Sequence, residues 1–280
     1  MASHDALHPA KAVVRALAGE VLRQSQEIAA RWPSGVPDLV AAETRLTAGV
    51  TALEGEPLLG GSALLHATRA LGAAAEAAEP GVGQTMLGIA GHLETLDEVS
   101  LDELALLAIG GVWEAVLPLA STLALDEYAL VTVVDYAARP TLVAAAGRLL
   151  QLRSSFDRVT SHCPICGSPP LLAELSGKDG ARSLRCARCG TRWGYPRLTC
   201  VWCGEQDANA LRAVHGEKDA GVRQADCCNT CRGYLKAIAV LDPLDYVSLL
   251  TTDLETAGLD LVAVDRGYTR GSAQSRCDRC

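Results

Sequence analysis

The chain has 280 residues, of which 49% are hydrophobic and 4% aromatic, with a formal net charge of -8. This is apolar material for a sizeable core in two domains, and the acidic balance speaks against a phosphate-binding surface. The charge is uneven: -9 over residues 1–158, +3 over residues 159–235 and -2 over residues 236–280. Met1 to Ala10 hold histidines and an aspartate without an apolar run, and later apolar stretches are broken by charge, glycine or proline. A soluble cytoplasmic protein is therefore expected, without export signal or membrane span.

Residues 1–158 read as an all-helical domain. Pro9 suits a first helical turn, and Val13, Val14, Leu17, Val21, Leu22 and Ile28 share a stripe that ends at Trp32-Pro33-Ser34-Gly35-Val36-Pro37. A second helix is predicted from Asp38 to Leu53, and a third from about Ser62 to Ala78, stopped by Glu79-Pro80-Gly81. Ser100 to Glu103 has the form of a capping box opening a helix through Ile109, Trp113 and Leu117, weakened at Gly110-Gly111. Pro140 divides two further helices, Asp126 to Ala138 and Thr141 to Phe156. His66, His92 and Trp113 read as structural residues, and the acidic group Glu94, Asp97, Glu98, Asp102 and Glu103 as a solvated face.

The cysteines then take over. Eight of the eleven form four CxxC pairs: Cys163/Cys166, Cys186/Cys189, Cys200/Cys203 and Cys228/Cys231. Two residues between thiolates let one turn aim both sulfurs at one ion, so each pair is half of a tetrahedral four-sulfur site. The stretch also repeats. Leu171 to Leu175, a turn at Lys178-Asp179-Gly180 and Ser183 to Arg185 separate the first two knuckles. Leu211 to Val214, a turn at Glu217 to Gly221 and Val222 to Ala225 separate the last two. Each unit is followed by an aromatic-containing strand, Trp193 to Arg197 and Tyr234 to Val240, which is the layout of a zinc ribbon or rubredoxin-like module written twice. Site one is accordingly Cys163, Cys166, Cys186 and Cys189, and site two Cys200, Cys203, Cys228 and Cys231; pairing the first knuckle with the third is the geometric alternative. A disulfide scaffold would suit a short secreted chain, and a thioredoxin-type centre needs one CxxC rather than four. Cys227 is either a competitor of Cys228 or a buried thiol, and Cys277/Cys280 form a fifth pair with no visible partner.

One last helix, running through Leu249, Leu254, Leu261 and Val264 to Gly267, and a poorly ordered tail from Tyr268 complete the chain. The expected fold is thus α+β: a helical domain (1–158), two ribbons (159–198 and 199–240), a C-terminal helix (241–267) and a flexible tail (268–280).

The order of motifs resembles the formate dehydrogenase accessory proteins called FdhE. The resemblance rests on the Cys163-Pro164-Ile165-Cys166-Gly167 and Cys200-Val201-Trp202-Cys203-Gly204 knuckles, and on Cys186 to Cys189 followed by Trp193. Cys228 to Lys236, Asp253 to Asp260 and Gly267 to Arg270 extend it. It implies a cytoplasmic, non-enzymatic factor that binds the catalytic subunit of a molybdenum-dependent respiratory formate dehydrogenase before export. It also implies rubredoxin-like sites, with the eight knuckle cysteines as ligands of two iron ions; zinc would satisfy the same sulfurs.

Two other readings stand beside it. Arg182, Arg185, Arg188, Arg192 and Arg197, with Trp193 and Tyr195 among them, could form a nucleic-acid-binding patch; the net charge and the scarcity of lysine oppose it, and no nucleic-acid partner is expected. A thiol oxidoreductase would need its cysteines free of metal.

Overall fold

The computed structural model describes residues 8–150, 152, 159–216 and 222–271. The chain divides into two compact units, the first made of its N-terminal part together with Pro164–Gly167, the second of the remainder. Phe156, the Glu217 to Gly221 turn, Cys277 and Cys280 lie outside the described residues.

The first unit contains α1 (His8–Arg31), α2 (Leu39–Ala48), α3 (Gly61–Ala78), α4 (Pro80–Leu93), α5 (Glu98–Gly110), α6 (Trp113–Thr122) and α7 (Glu127–Leu149). Helix α7 packs against α1, α3, α5 and α6 and carries the fully buried Leu130, Val134, Leu142 and Leu149. It is long and apolar enough to cross a bilayer, but 67% of its most apolar window is buried inside the protein, as in a core helix. The sequence predicts two helices here, divided at Pro140; the structure has one. An internal proline costs a helix about 3 kcal/mol, and burial on both sides of Pro140 outweighs that cost. Arg139 adds an ion pair to Asp135 at 2.7 Å and stacks on the Tyr136 ring at 3.7 Å.

Other boundaries move for local reasons. Helix α2 ends at Ala48 instead of Leu53 because Gly49 takes a left-handed φ of 85° and its N–H returns to the last turn. Pro80, read as a stop, also sits at the first turn of α4. Asp97, not Ser100, is the N-cap of α5, accepting from the Ser100 N–H at 2.8 Å. Gly111, with φ 67°, ends α5 where the sequence predicts one helix continuing to Leu117. Asp102 accepts from the Gly61 N–H at 2.6 Å at the start of α3, so two of the acidic residues read as a solvated face are helix caps. Arg148 completes α1 by donating to the carbonyls of Ala29, Trp32, Pro33 and Val36. The N–H groups of Ala52 and Leu53 donate to the carbonyls of Pro164 and Ile165 at 2.9 and 3.1 Å, which gathers that short turn into the first unit.

In the second unit the two ribbons form one mixed sheet. Its strands are β1 (Leu172–Ser176), β2 (Ala181–Arg185), β3 (Arg192–Gly194), β4 (Leu211–Val214), β5 (Arg223–Cys228), β6 (Gly233–Ala239) and β7 (Thr269–Arg270), ordered β3-β2-β1-β6-β5-β4 with β7 on β6. Each ribbon contributes an antiparallel set, and the parallel pairing of β1 with β6, Ala173 opposite Ala237, joins them. The predicted C-terminal helix is two helices, α8 (Tyr246–Glu255) and α9 (Ala257–Asp265), broken at Thr256, whose hydroxyl donates to the carbonyls of Thr252 and Asp253. Tyr268 to Arg270, assigned to a poorly ordered tail by the sequence reading, are placed: Tyr268 is buried, with its hydroxyl on Asn229 at 2.7 Å, and Thr269 and Arg270 pair with β6.

Two buried charge groups brace the helix-bearing face. Glu174 on β1, with no exposed surface, accepts from Arg185, from Arg192 at 3.0 Å and from the Leu244 N–H at 2.9 Å. Lys236 on β6, 1% exposed, donates to the Asp253 carbonyl and to Asp260, both at 2.7 Å. The Tyr234 hydroxyl also reaches Asp260, and Arg270 reaches Asp253 at 2.6 Å. Removing one partner of a buried pair leaves the other charged, which costs about 3–5 kcal/mol. Glu174→Ala is therefore expected to lower the stability of the second unit by about that amount, read as an earlier urea midpoint by tryptophan fluorescence at fixed metal content.

Candidate metal centres

All four knuckles share a local geometry that follows from their sequence. In three, the N–H of the first cysteine bonds to a carbonyl five residues on: Cys163 to Ser168 at 2.8 Å, Cys186 to Thr191 at 3.0 Å and Cys200 to Glu205 at 2.8 Å. The N–H four residues on returns to the first cysteine's carbonyl at Gly190, Gly204 and Arg232. A left-handed residue follows the second cysteine of each knuckle, and in three it is a glycine, Gly167, Gly190 and Gly204, with φ of 74°, 74° and 77°. The fourth knuckle has Arg232 there instead, at φ 60°. A left-handed non-glycine costs about 1–2 kcal/mol. Its side chain offsets this by donating to the carbonyls of Gly267 and Arg266 and stacking on Tyr268 at 4.1 Å.

These turns bring the cysteines together in the two groups expected from the repeat. Cys163, Cys166, Cys186 and Cys189 form one, and Cys200, Cys203, Cys228 and Cys231 the other, the four sulfurs of each within 4.8 Å of one another. The Sγ–Sγ separations are 3.4 Å for Cys163–Cys189, and 3.7 Å for both Cys200–Cys231 and Cys203–Cys228. A tetrahedral site with metal–sulfur bonds near 2.3 Å has sulfur edges of about 3.8 Å, so the donors fit such an ion. The interleaved pairing is not the one formed.

The groups differ in surroundings. All four cysteines of the first are buried, whereas Cys203 and Cys231 of the second are partly exposed. Thr191 lies 3.0 Å from the Cys189 sulfur, and the Tyr246 hydroxyl holds the second knuckle through the Ala187 carbonyl at 2.9 Å. In the second group the N–H groups of Trp202 and Gly233 point at the sulfurs of Cys200 and Cys231, each at 3.4 Å. The hydrogen bond with Cys231, and then burial, push the Cys200 thiol well above the usual range; burial foremost pushes Cys203 up to about 11. Cys227 lies outside both groups, packed with Val214, Tyr234 and Tyr268, and burial pushes it up to about 12.

Most of the arginines weighed as a nucleic-acid patch are tied to internal acceptors, although Arg192 is exposed and Arg197 partly so. Arg182 donates to the carbonyls of Pro196 and Thr199, Arg185 and Arg192 bond Glu174, and Arg197 reaches Asp226 at 3.4 Å. Arg182, Arg185, Arg188 and Trp193 are all buried, so no stacking surface is assembled from them. Trp202 and Ile165, inside their knuckles, are buried too. What sequence reasoning missed is the support: Glu174 and the Lys236 group lie far along the chain from the residues they hold, and an isolated buried acid or lysine in a strand pattern leaves no periodic signal.

Because the raised thiols of Cys200 and Cys203 are protonated at pH 7, a divalent ion entering the second group must displace those protons, and its affinity rises with pH. Titration of metal-free protein with zinc between pH 6 and 8 is expected to show stronger binding at higher pH, with about two or more protons released at this site. The more exposed second group should also yield its metal to a coloured chelator before the first.

Comparison with known proteins agrees with the motif order. The family models described as "FdhE, central domain" and "FdhE, C-terminal domain" match residues 162–197 and 198–275. A "Protein FdhE homolog" of Stutzerimonas stutzeri is 35% identical over 125 residues, covering 44% of this chain and 39% of that protein. "Protein FdhE" of Escherichia coli is 30% identical over 122 residues, 43% of this chain and 38% of that one. The matched stretch thus spans about two fifths of these curated relatives' length. The crystal structure of the FdhE protein from Pseudomonas aeruginosa shares the fold with a TM-score of 0.63 over 94% of both chains at 24% identity. By motifs and family-model matches, residues 162–275 thus correspond to the central and C-terminal domains of the FdhE family, in a chain that shares the fold of a solved FdhE protein.

Proposed function

We propose that this protein is a non-catalytic accessory factor that binds the catalytic subunit of a molybdenum-dependent respiratory formate dehydrogenase in the cytoplasm, before that subunit's export. The observation that carries the reading is the pair of closed four-sulfur groups in a chain matched by two FdhE family models. Cys163, Cys166, Cys186 and Cys189 would hold one ion, and Cys200, Cys203, Cys228 and Cys231 a second, iron or zinc. Four thiolates fill a tetrahedral shell and leave no position for a substrate, which supports a structural over a hydrolytic role. An iron ion would add one-electron chemistry; the protein's part is then to orient N–H groups toward the sulfurs, as Trp202 and Gly233 do, and to exclude water.

The domain division that accompanies this reading places the helical domain at 1–158, the ribbons at 159–198 and 199–240, and the C-terminal segment after them. The client surface would be built on the outside of these modules. Protein purified without oxygen is expected to hold two metal ions per chain, with Cys163→Ser and Cys200→Ser each losing one by elemental analysis. Thiolate-to-iron absorption bands would identify iron, and a featureless visible spectrum zinc. A tagged copy expressed in cells grown with formate should co-purify a formate dehydrogenase catalytic subunit; recovery of no molybdoenzyme would defeat the proposal.

A further inference from the structure

The first unit contains a cavity of about 520 Å³ between the loop that follows α2 and the C-terminal half of α5. The N–H groups of Ala52 and Leu53 tie that loop to the Pro164–Gly167 turn, so the hollow has a fixed wall on that side. Leu53 and Ile109 give it a buried apolar floor, and its rim is apolar as well: Leu106 is 46% exposed and Val112 48%. The face continues along α5, where Val99, Glu103, Leu106 and Gly110 lie at helical positions i, i+4, i+7 and i+11, and Val99 is 78% exposed. Single exposed apolar residues are ordinary; three beside one hollow mark a surface that another chain can cover.

The charge there has one sign. No lysine or arginine lines the cavity among the described residues. The neighbouring Arg45 is committed to Glu56 and to the Ala52 carbonyl at 3.0 Å. Glu54 in the lining, and Glu103 one turn before Leu106 and Leu107, are exposed, and neither carboxylate has an ion-pair partner among the described residues. Cys166 also borders the cavity, and four thiolates around a divalent ion carry a net charge of about -2. These charges add to the -9 of residues 1–158 instead of cancelling it. A hollow with an apolar floor, an apolar rim and acids but no cation of its own is complementary to cations carried beside apolar side chains.

We propose that this face of the first unit docks a segment of a partner protein in which arginine or lysine alternates with large apolar residues. The apolar side chains enter the cavity and the cations meet Glu54 and Glu103. This deepens the accessory-factor reading by naming the chemistry of a docking surface, and it rests on that reading only in requiring a protein partner. The test uses peptides and not formate dehydrogenase, so a failed co-purification and a failed docking site are separate results.

Fluorescence polarisation of labelled peptides of about twelve residues, with leucines three and four apart and arginines between them, measures binding to the zinc-loaded full chain. Saturable binding that weakens as salt is raised is expected. Replacing the arginines by glutamine, or the leucines by serine, should each weaken it at least about tenfold. In the protein, Leu106→Gln should weaken binding about tenfold, and Glu54→Lys together with Glu103→Lys at least as much. Glu27→Lys, an equal change of charge on α1 outside the cavity, should leave the affinity within about twofold. All these positions are exposed or partly so, and an unchanged helical circular dichroism signal checks that each variant is folded. No saturable binding, as when a segment of the chain itself fills the groove, would overturn the proposal, as would equal binding of the glutamine peptide or affinity unchanged by the Leu106 and glutamate variants. A dimer in sedimentation that Leu106→Gln dissociates would assign the face to a second copy and overturn it too.

Discussion

The parallel pairing of β1 with β6 is the constraint on which the second unit depends. Without it the chain would carry two small ribbons, each too short to bury a core of its own. With it, the last strand of the second ribbon becomes a central strand whose residues from Gly233 to Ile238 are all buried. The pairing also sets the two charge groups on one face: Glu174 stands opposite Ile238, two residues beyond Lys236 on the same side of β6. Helices α8 and α9 then bring Asp253 and Asp260 to Lys236, and the turn before α8 brings the Leu244 N–H to Glu174. The hydrophobic clusters on this unit are small, Leu172, Ile238 and Leu249 in one and Val214, Ala225, Cys227, Tyr234, Ala263 and Tyr268 in another. Buried ion pairs therefore fix how the pieces dock, a role in which geometry matters more than net stabilisation.

The sulfur groups stand at the knuckled ends of this frame. Four thiols converging on one point repel once ionised, and burial disfavours ionising them at all, as the raised Cys200 and Cys203 show. A cation at the centre reverses both effects, so metal uptake and completion of the fold are linked. Arg232 shows how tightly the surroundings determine a knuckle. It keeps a left-handed backbone where the other three use glycine, and it persists because its guanidinium closes the C-terminal end of α9 and covers Tyr268.

Features encoded over a few residues were legible in the sequence, and those made by distant contacts were not. The CxxC spacing and the doubled hairpin specify the two sulfur groups locally, and the turn residues at Lys178 to Gly180 mark the first hairpin. The β1–β6 pairing joins residues more than sixty positions apart, and nothing in either strand names its partner. Pro140 is a valid local signal overridden by packing, since α7 buries residues on both sides of it. Ser100 to Glu103 has the form of a cap, yet Asp97 lies one turn earlier with a better acceptor for the free N–H groups. The arginines between the knuckles read equally well as a basic surface or as internal ties, and only the position of Glu174 and Asp226 decides for the latter.

The same distinction explains where likeness to relatives falls along the chain. Family models match residues 162–275, whereas the fold shared with the Pseudomonas aeruginosa protein extends over 94% of the chain. A helical core built from leucine and alanine can be repacked with other apolar residues of similar volume at modest cost, so its sequence drifts while its architecture persists. A tetrahedral metal group admits little besides histidine in place of cysteine, and a buried lysine between two aspartates admits little else without leaving a charge unpaired. The second unit accordingly holds nearly all of the stretch that the family models match. Helices α1 to α7 are recognisable only as a shape.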